Sequence, residues 1–144
     1  MFLLDTNVVS ELRKAGDGKA APNVVAWLSR ADASTLFVSA ITLMELEISI
    51  QHMERRDADQ GARLRNWMDS RVLPEFADRT LPIDAAVALR CARLHVPDPR
   101  AERDALIGAT ALVHGMTVVT RNVADFAAFG LAIVDPWSRQ VRGG

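Results

Sequence analysis

The chain opens with residues 1–12, MFLLDTNVVSEL, in which a short apolar run leads directly into an acidic residue and a helical pattern. Residues 2–4 are entirely apolar, as expected of a strand that is buried on both faces. Val8, Val9 and Leu12 then recur at helical spacing. A buried strand followed at once by a helix is typical of an α/β fold, and Asp5 lies at the junction.

The same alternation continues along the chain. Further strands are predicted at residues 35–38, 79–83, 116–120 and 132–134, and the strand at residues 79–83 is expected at a sheet edge because it contains Pro82. The predicted helices lie at residues 6–14, from residue 22 onward, over about fourteen residues after residue 39, and at residues 57–76, 84–94, 101–114 and 122–126. This order predicts one α/β domain over residues 1–144, with a short, mostly parallel sheet between helices.

Composition limits the classes of protein that fit. The chain has 144 residues, 49% of them hydrophobic, a net charge of −1 and a single cysteine. These values suit one globular domain and argue against a disulfide scaffold or a zinc site built on cysteines. No apolar run approaches the roughly 20 residues that span a bilayer. We therefore predict a cytoplasmic protein without a membrane segment.

Three carboxylates lie in stretches that are otherwise apolar or small. Asp5 ends the first strand, Glu45 lies within residues 41–46 (ITLMEL), and Asp104 begins residues 104–109 (DALIGA). An ionised carboxylate is costly to bury alone, and no Lys or Arg recurs at a spacing that would pair all three. A divalent cation held among them would compensate their charge. Oxygen ligands without His or Cys suit Mg²⁺ or Mn²⁺, which favours hydrolysis of phosphodiester bonds.

Each acid also has a simpler interpretation. Asp5 could cap the first helix, Glu45 could pair with an arginine, and Asp104 in a first helical turn could favour the helix dipole. Three such coincidences in apolar surroundings are less expected together than separately. A haloacid-dehalogenase-like phosphatase would also begin with a strand and Asp, but it needs a second Asp where this chain has Asn7.

The chain resembles the PIN-domain ribonucleases, above all the VapC toxins and related FitB proteins of bacterial toxin–antitoxin operons. The resemblance is carried by residues 1–11 (MFLLDTNVVSE), 39–46 (SAITLMEL), 104–111 (DALIGATA) and 118–126 (VVTRNVADF), and by residues 134–137 (VDPW). These segments occur in the family's order over nearly the whole chain. The resemblance implies a five-stranded parallel sheet between helices.

The resemblance also implies site residues. Asp5, Glu45 and Asp104 match the acids that bind Mg²⁺ or Mn²⁺. At the fourth acidic position many relatives carry Asp, whereas this chain has Asn122 and then Asp125. Either residue could complete the catalytic site. Two threonines match positions that support the acids and line the substrate site, next to an arginine expected to contact phosphate: Thr6, Thr120 and Arg121.

The activity implied is that of a toxin that cleaves RNA, including tRNA, as a metal-dependent endoribonuclease. Its implied partners are a second copy of the chain and a VapB- or FitA-like antitoxin, which would bind operator DNA through its own domain. The alternative is a PIN-like regulatory module that binds antitoxin or RNA without cleaving, and Asn122 keeps that alternative open.

Overall fold

A five-stranded sheet, parallel throughout, forms the centre of the computed structural model, which describes residues 1–138. Its strands are β1 (Phe2–Leu4), β2 (Leu36–Ser39), β3 (Thr80–Leu81), β4 (Thr117–Val119) and β5 (Ile133–Val134). They are ordered β3-β2-β1-β4-β5, and each neighbouring pair is parallel. The predicted fold class is confirmed, and the strand that contains the start of the chain lies in the middle.

The helices follow the strands as the sequence predicted. They are α1 (Thr6–Gly16), α2 (Pro22–Arg30), α3 (Ala40–Arg56), α4 (Ala58–Trp67), α5 (Leu73–Glu75), α6 (Ala85–Leu94), α7 (Glu102–His114) and α8 (Val123–Phe126). Side-chain oxygens of Asp5, Ser39 and Asp84 cap α1, α3 and α6 by accepting backbone N–H bonds. Gly115 ends α7 at φ 64°, in the left-handed region that favours glycine.

The two faces of the sheet carry separate apolar layers. Leu3 and Leu4 of β1 are both fully buried but point to opposite faces, because side chains alternate along a strand. Leu3 packs in a layer with α6, α7 and Phe126. Leu4 packs in the other layer, with α1, α3 and the segment around Met68. The sheet is therefore covered on both sides, which explains why its short strands are so apolar.

One predicted helix is interrupted. Residues 57–76 were expected to form a single helix, but the structure divides them into α4, a π-helical turn at Met68–Val72 and the short α5. Pro74 explains the break, since proline lacks an N–H to donate and its ring crowds the carbonyl of the preceding turn. The predicted strand at residues 79–83 is reduced to two residues, at the sheet edge where Pro82 can be tolerated. Within residues 1–138 no helix has the length and apolar content needed to cross a bilayer.

Helices α3 and α4 pack at a distance that only glycine allows. A Cβ atom added to Gly61 of α4 would lie 2.5 Å from the Cα of Glu54 in α3. We expect Gly61→Ala to destabilise the protein by about 1–3 kcal/mol, because the two backbones must separate. Urea denaturation measures the change. Gly16→Ala at the end of α1 is the control, since its added Cβ meets open space, and an equal loss in both variants would contradict the packing argument.

Candidate active site

The carboxyl ends of β1, β4 and β5 form one edge of the sheet. The backbone N–H of Asp5 donates to the carbonyl of Val119 (2.9 Å), and that of Thr120 donates to Val134 (2.9 Å). The chain leaves β1 toward β2 on one side, and β4 lies on the other, so β1 and β4 border the point where the strand order reverses. In open parallel sheets this switch point is where ligands bind.

Asp5 is buried at this edge and held by several donors. The residue as a whole is 4% exposed. Oδ1 accepts from the backbone N–H of Thr6 (2.8 Å), and Oδ2 accepts from the hydroxyl of Thr120 (2.7 Å) and the amide of Asn7 (3.3 Å). Burial raises the pKa of Asp5, although the bonds from Thr120 and Thr6 partly oppose the rise. Asp5 is thus the helix cap considered above and also a buried acid among other acids.

Glu45 reaches the same edge from α3. Its Oε1 accepts from the hydroxyl of Thr6 (2.6 Å), which itself lies 3.3 Å from the hydroxyl of Thr42. Oε2 of Glu45 lies 3.7 Å from Nη1 of Arg103. The arginine pairing considered as an alternative is therefore present. Glu45 also lies close enough to Asp5 to contribute to the raised pKa of that carboxyl.

Asp104 joins the cluster from the first turn of α7. That helix is almost completely buried from Ala105 to Ala111, which holds Asp104 at the mouth of the site. Burial, followed by the negative charges of Asp5, Asp125 and Glu45, raises the pKa of Asp104 to about 6. Acids from β1, α3, α7 and α8 therefore lie within electrostatic range of one another, although up to 120 positions separate them in the sequence.

Two residues, Asn122 and Asp125, are candidates for the fourth acidic position implied by the resemblance. The backbone N–H of Asn122 donates to the hydroxyl of Thr120 (2.9 Å), so Asn122 contributes its main chain to the support of Asp5. Asp125 in α8 is exposed, and its negative charge raises the pKa of both Asp5 and Asp104. The structure thus brings the Asp125 carboxylate toward the other acids.

The acids approach one another without forming a closed metal-binding set. Among residues 1–138, no three Asp, Glu, His or Cys side chains are placed tightly enough to hold one ion. Glu45 turns its oxygens to Thr6 and Arg103. The donor set nevertheless fits a hard cation. It consists of carboxylate oxygens, and one of them, Asp5, is buried without an ion-pair partner in the described residues.

The supporting threonines contact acids directly. The hydroxyl of Thr6 donates to Glu45, and the hydroxyl of Thr120 donates to Asp5. Arg121 is exposed beside them, and its backbone N–H donates to Oδ1 of Asn7 (3.3 Å). We therefore find both threonines supporting the acids, with Arg121 as the exposed cation next to them.

Two residues near the acids were not identified as site residues from the sequence. Asn7 links Asp5 to the backbone of Arg121, and its place within the first turn after β1 was the available signal. Arg103 pairs with Glu45 across two helices. Its position next to Asp104 in the sequence gave no sign of that pairing, because the partner is 58 residues away (103 − 45).

The raised pKa of Asp104 predicts a pH-dependent effect of Asp104→Asn. The folded protein retains this proton up to about pH 6, whereas the unfolded chain loses it near 3.8, so ionisation costs stability as the pH rises between these values. In EDTA at pH 8 we expect the Asn variant to be more stable by about 1–2 kcal/mol, after allowance for solvent screening.

Thermal unfolding at pH 4 and pH 8 measures this difference, which should nearly vanish at the lower pH. Added Mg²⁺ should stabilise the wild type more than the variant. An Asn variant that is less stable than the wild type in EDTA at pH 8 would contradict the interpretation of the cluster.

Comparison with known proteins identifies the family. Residues 2–130 match the PIN domain. The chain is 38% identical over 142 residues to the VapC ribonuclease Y4jK of Sinorhizobium fredii, an alignment that covers 95% of this chain and 98% of that protein. It is 34% identical to the toxin FitB of Neisseria gonorrhoeae, covering 95% and 99%. A solved structure of FitAB bound to an IR36 DNA fragment superposes with a TM-score of 0.88 at 33% identity, covering 99% of this chain and 100% of that one. The chain belongs to the PIN domain family.

Proposed function

We propose that this protein is the toxin of a toxin–antitoxin pair and acts as a divalent-metal-dependent endoribonuclease. One observation carries the proposal: Asp5, Glu45, Asp104 and Asp125 come from four elements to one edge of the sheet. Family membership supports it, because relatives with the same fold and similar length are named as a ribonuclease and a toxin. A metal-dependent nuclease needs such an anionic cluster to bind its ion, whereas a purely structural role would not require it.

Asp5, Asp104 and Glu45 would hold Mg²⁺ or Mn²⁺, with Asp125 as a fourth acid. When bound, the ion would neutralise the acids, make a bound water more acidic and stabilise negative charge on the phosphate. The Asp5 carboxylate is held in position before an ion binds. Thr120 and the Thr6 backbone fix both oxygens of Asp5, so that this carboxylate loses little freedom when it becomes a ligand.

Glu45 is the candidate to receive a proton from the attacking water. The Thr6 hydroxyl fixes Oε1, which leaves Oε2 as the oxygen able to accept a proton or to bind the ion once Arg103 moves away. Arg103 and Arg121 are both exposed beside the acids. Their guanidinium groups would attract the RNA phosphates that the carboxylates repel.

The partners follow from the proposed activity. We propose an antitoxin of the VapB or FitA type, a homodimer of this chain, and operator DNA bound through the antitoxin. The solved FitAB structure bound to an IR36 DNA fragment supports the antitoxin and the DNA binding at 33% identity. The substrate would be RNA, with tRNA as the first candidate. The toxin would therefore act in the cytoplasm. Residues 1–144 would form a single PIN domain.

The rival is a PIN-like module that binds RNA or antitoxin without cleaving. Asn122 favoured it, since that residue carries no charge. Asp125 weakens this argument, because its carboxylate lies near enough to Asp5 and Asp104 to raise the pKa of each. An acid is therefore supplied three residues later.

Incubation of the purified protein with total tRNA tests the proposal. We expect discrete cleavage products in Mg²⁺ or Mn²⁺ and none in EDTA, with the fragment ends mapped by sequencing. Addition of the proposed cognate antitoxin should stop cleavage. Binding of RNA without cleavage under every metal condition would favour the rival.

A further inference from the structure

An arginine and a tryptophan meet beside the carboxylate cluster. Arg121 follows β4, and Trp137 follows β5, the neighbouring strand. The guanidinium carbon of Arg121 lies over the Trp137 ring, 5.3 Å from its centroid. The two residues are 16 positions apart in the sequence (137 − 121), so the parallel pairing of β4 with β5 is what brings them together.

Both members of this pair have anchored backbones. The N–H of Arg121 donates to Oδ1 of Asn7 (3.3 Å). The N–H of Trp137 donates to Oδ1 of Asp135 (2.9 Å), and its carbonyl accepts from Nδ2 of Asn23 in α2 (3.0 Å). Trp137 also packs against the apolar layer that contains Leu4. The Trp137 backbone bonds and its contact with the apolar layer hold the ring in place, and the guanidinium of the exposed Arg121 lies over it.

Long-range attraction of phosphate by Arg121 would not need this support, since it depends on charge and distance rather than on orientation. Contact with an aromatic face restricts the guanidinium and orients its plane. Arg121 as a residue remains exposed. An exposed guanidinium held over an aromatic ring offers a surface on which a planar ligand can stack.

The pair lies within one ligand length of the acids. Thr120, which donates to Asp5, directly precedes Arg121, and Asn7 contacts both Asp5 and the Arg121 backbone. Strand β4 separates β1 from β5, so two strand spacings, or about 10 Å, lie between the end of β1 and the end of β5. A nucleotide next to a phosphate at the cluster can reach this distance with its base.

We propose that Arg121 and Trp137 form a platform on which an unpaired RNA base stacks, next to the phosphate that is cleaved. The inference rests on the proposed function and extends it, because it assigns Trp137 a role as a positioning residue for a base beside the cut. Unpaired bases stack on arginine planes and aromatic rings, whereas bases within a duplex are not available for stacking.

Cleavage kinetics with single-stranded oligoribonucleotides test the platform. One oligonucleotide that the wild type cleaves in Mg²⁺ is selected from a random pool, and versions with an abasic ribose at each position in turn are then compared. We expect Arg121→Lys and Trp137→Leu to raise KM about 5- to 10-fold with little change in kcat. Trp137→Phe keeps an aromatic face and should restore most of the binding.

The decisive comparison uses the abasic substrates. At one position next to the cut, loss of the base should raise the wild-type KM by a similar factor and should abolish the difference between wild type and variants. Arg55→Lys is the matched control, because it is an exposed arginine near the far end of α3, and it should change nothing. Trp137→Phe and Arg121→Lys keep the test meaningful if Trp137→Leu unfolds.

Two results would overturn the platform while leaving the nuclease intact. One is unchanged KM in both Arg121→Lys and Trp137→Leu. The other is an equal penalty in these variants on every abasic substrate, which would reduce Arg121 to a phosphate contact. If the wild type shows no cleavage that Asp5→Asn removes, the proposed function fails and the platform fails with it.

Discussion

Asp5→Asn is expected to lower the rate of RNA cleavage about a thousand-fold or more, equivalent to roughly 4 kcal/mol of transition-state stabilisation. Asp5 is the most buried acid of the cluster and has both oxygens held in place. Asparagine has the same size and can still accept the N–H of Thr6, so the cap of α1 is kept. Because burial already raises the pKa of Asp5, a neutral side chain should also be tolerated by the fold.

The measurement is single-turnover cleavage of tRNA in Mg²⁺, together with growth after induction of each variant. Asp32→Asn is the matched control, since Asp32 also caps a helical turn through a backbone N–H but is exposed. It should retain full activity. Unchanged cleavage and unchanged growth arrest by Asp5→Asn would show that the cluster is not the catalytic site.

Thr120→Val is expected to lower kcat/KM about 10- to 100-fold and to destabilise the fold by about 1–3 kcal/mol. Thr120 is fully buried, and its hydroxyl donates to Asp5 while accepting from the backbone of Asn122. Valine has nearly the same shape but removes both of these bonds, together with the longer one in which the hydroxyl accepts from the side-chain amide of Asn7 (3.5 Å). Asp5 would then keep fewer donors, its pKa would rise further, and metal would have to displace a more tightly held proton.

Thr120→Ser separates the hydroxyl from the packing. Serine retains the donor and should restore most of the activity and of the metal affinity, measured by titration calorimetry with Mn²⁺. If the Val variant keeps full activity and metal affinity while the Ser variant loses them, the methyl group rather than the hydroxyl would be important, and the support assigned to Thr120 would be wrong.

Much of the fold could be predicted because local rules agree with the tertiary structure. The apolar run at residues 2–4 needed burial on both faces, and Ser39 and Asp84 had the side chains that cap helices. Pro74 indicates a break within residues 57–76, but its form, a π-helical turn at Met68–Val72, could not be predicted because it depends on how the helix packs around the proline.

Part of the candidate site could be predicted from the sequence for a similar reason. Asp5, Glu45 and Asp104 stood out because acids in apolar stretches need compensation, and the structure brings them within electrostatic range. Contacts between side chains of different helices gave no such signal in the sequence. Arg103 is one polar residue on an exposed helix turn, and its contact with Glu45 exists only because α7 packs beside α3.

Crystals of the wild type soaked in MnCl₂ and measured at the manganese edge test the central claim most directly. We predict an anomalous peak within coordination distance of Asp5 and Asp104, with Glu45 turned away from Arg103, and no such peak in Asp5→Asn crystals. A fully occupied wild-type lattice with these carboxylates free and no peak among them, or with manganese bound elsewhere, would contradict the account.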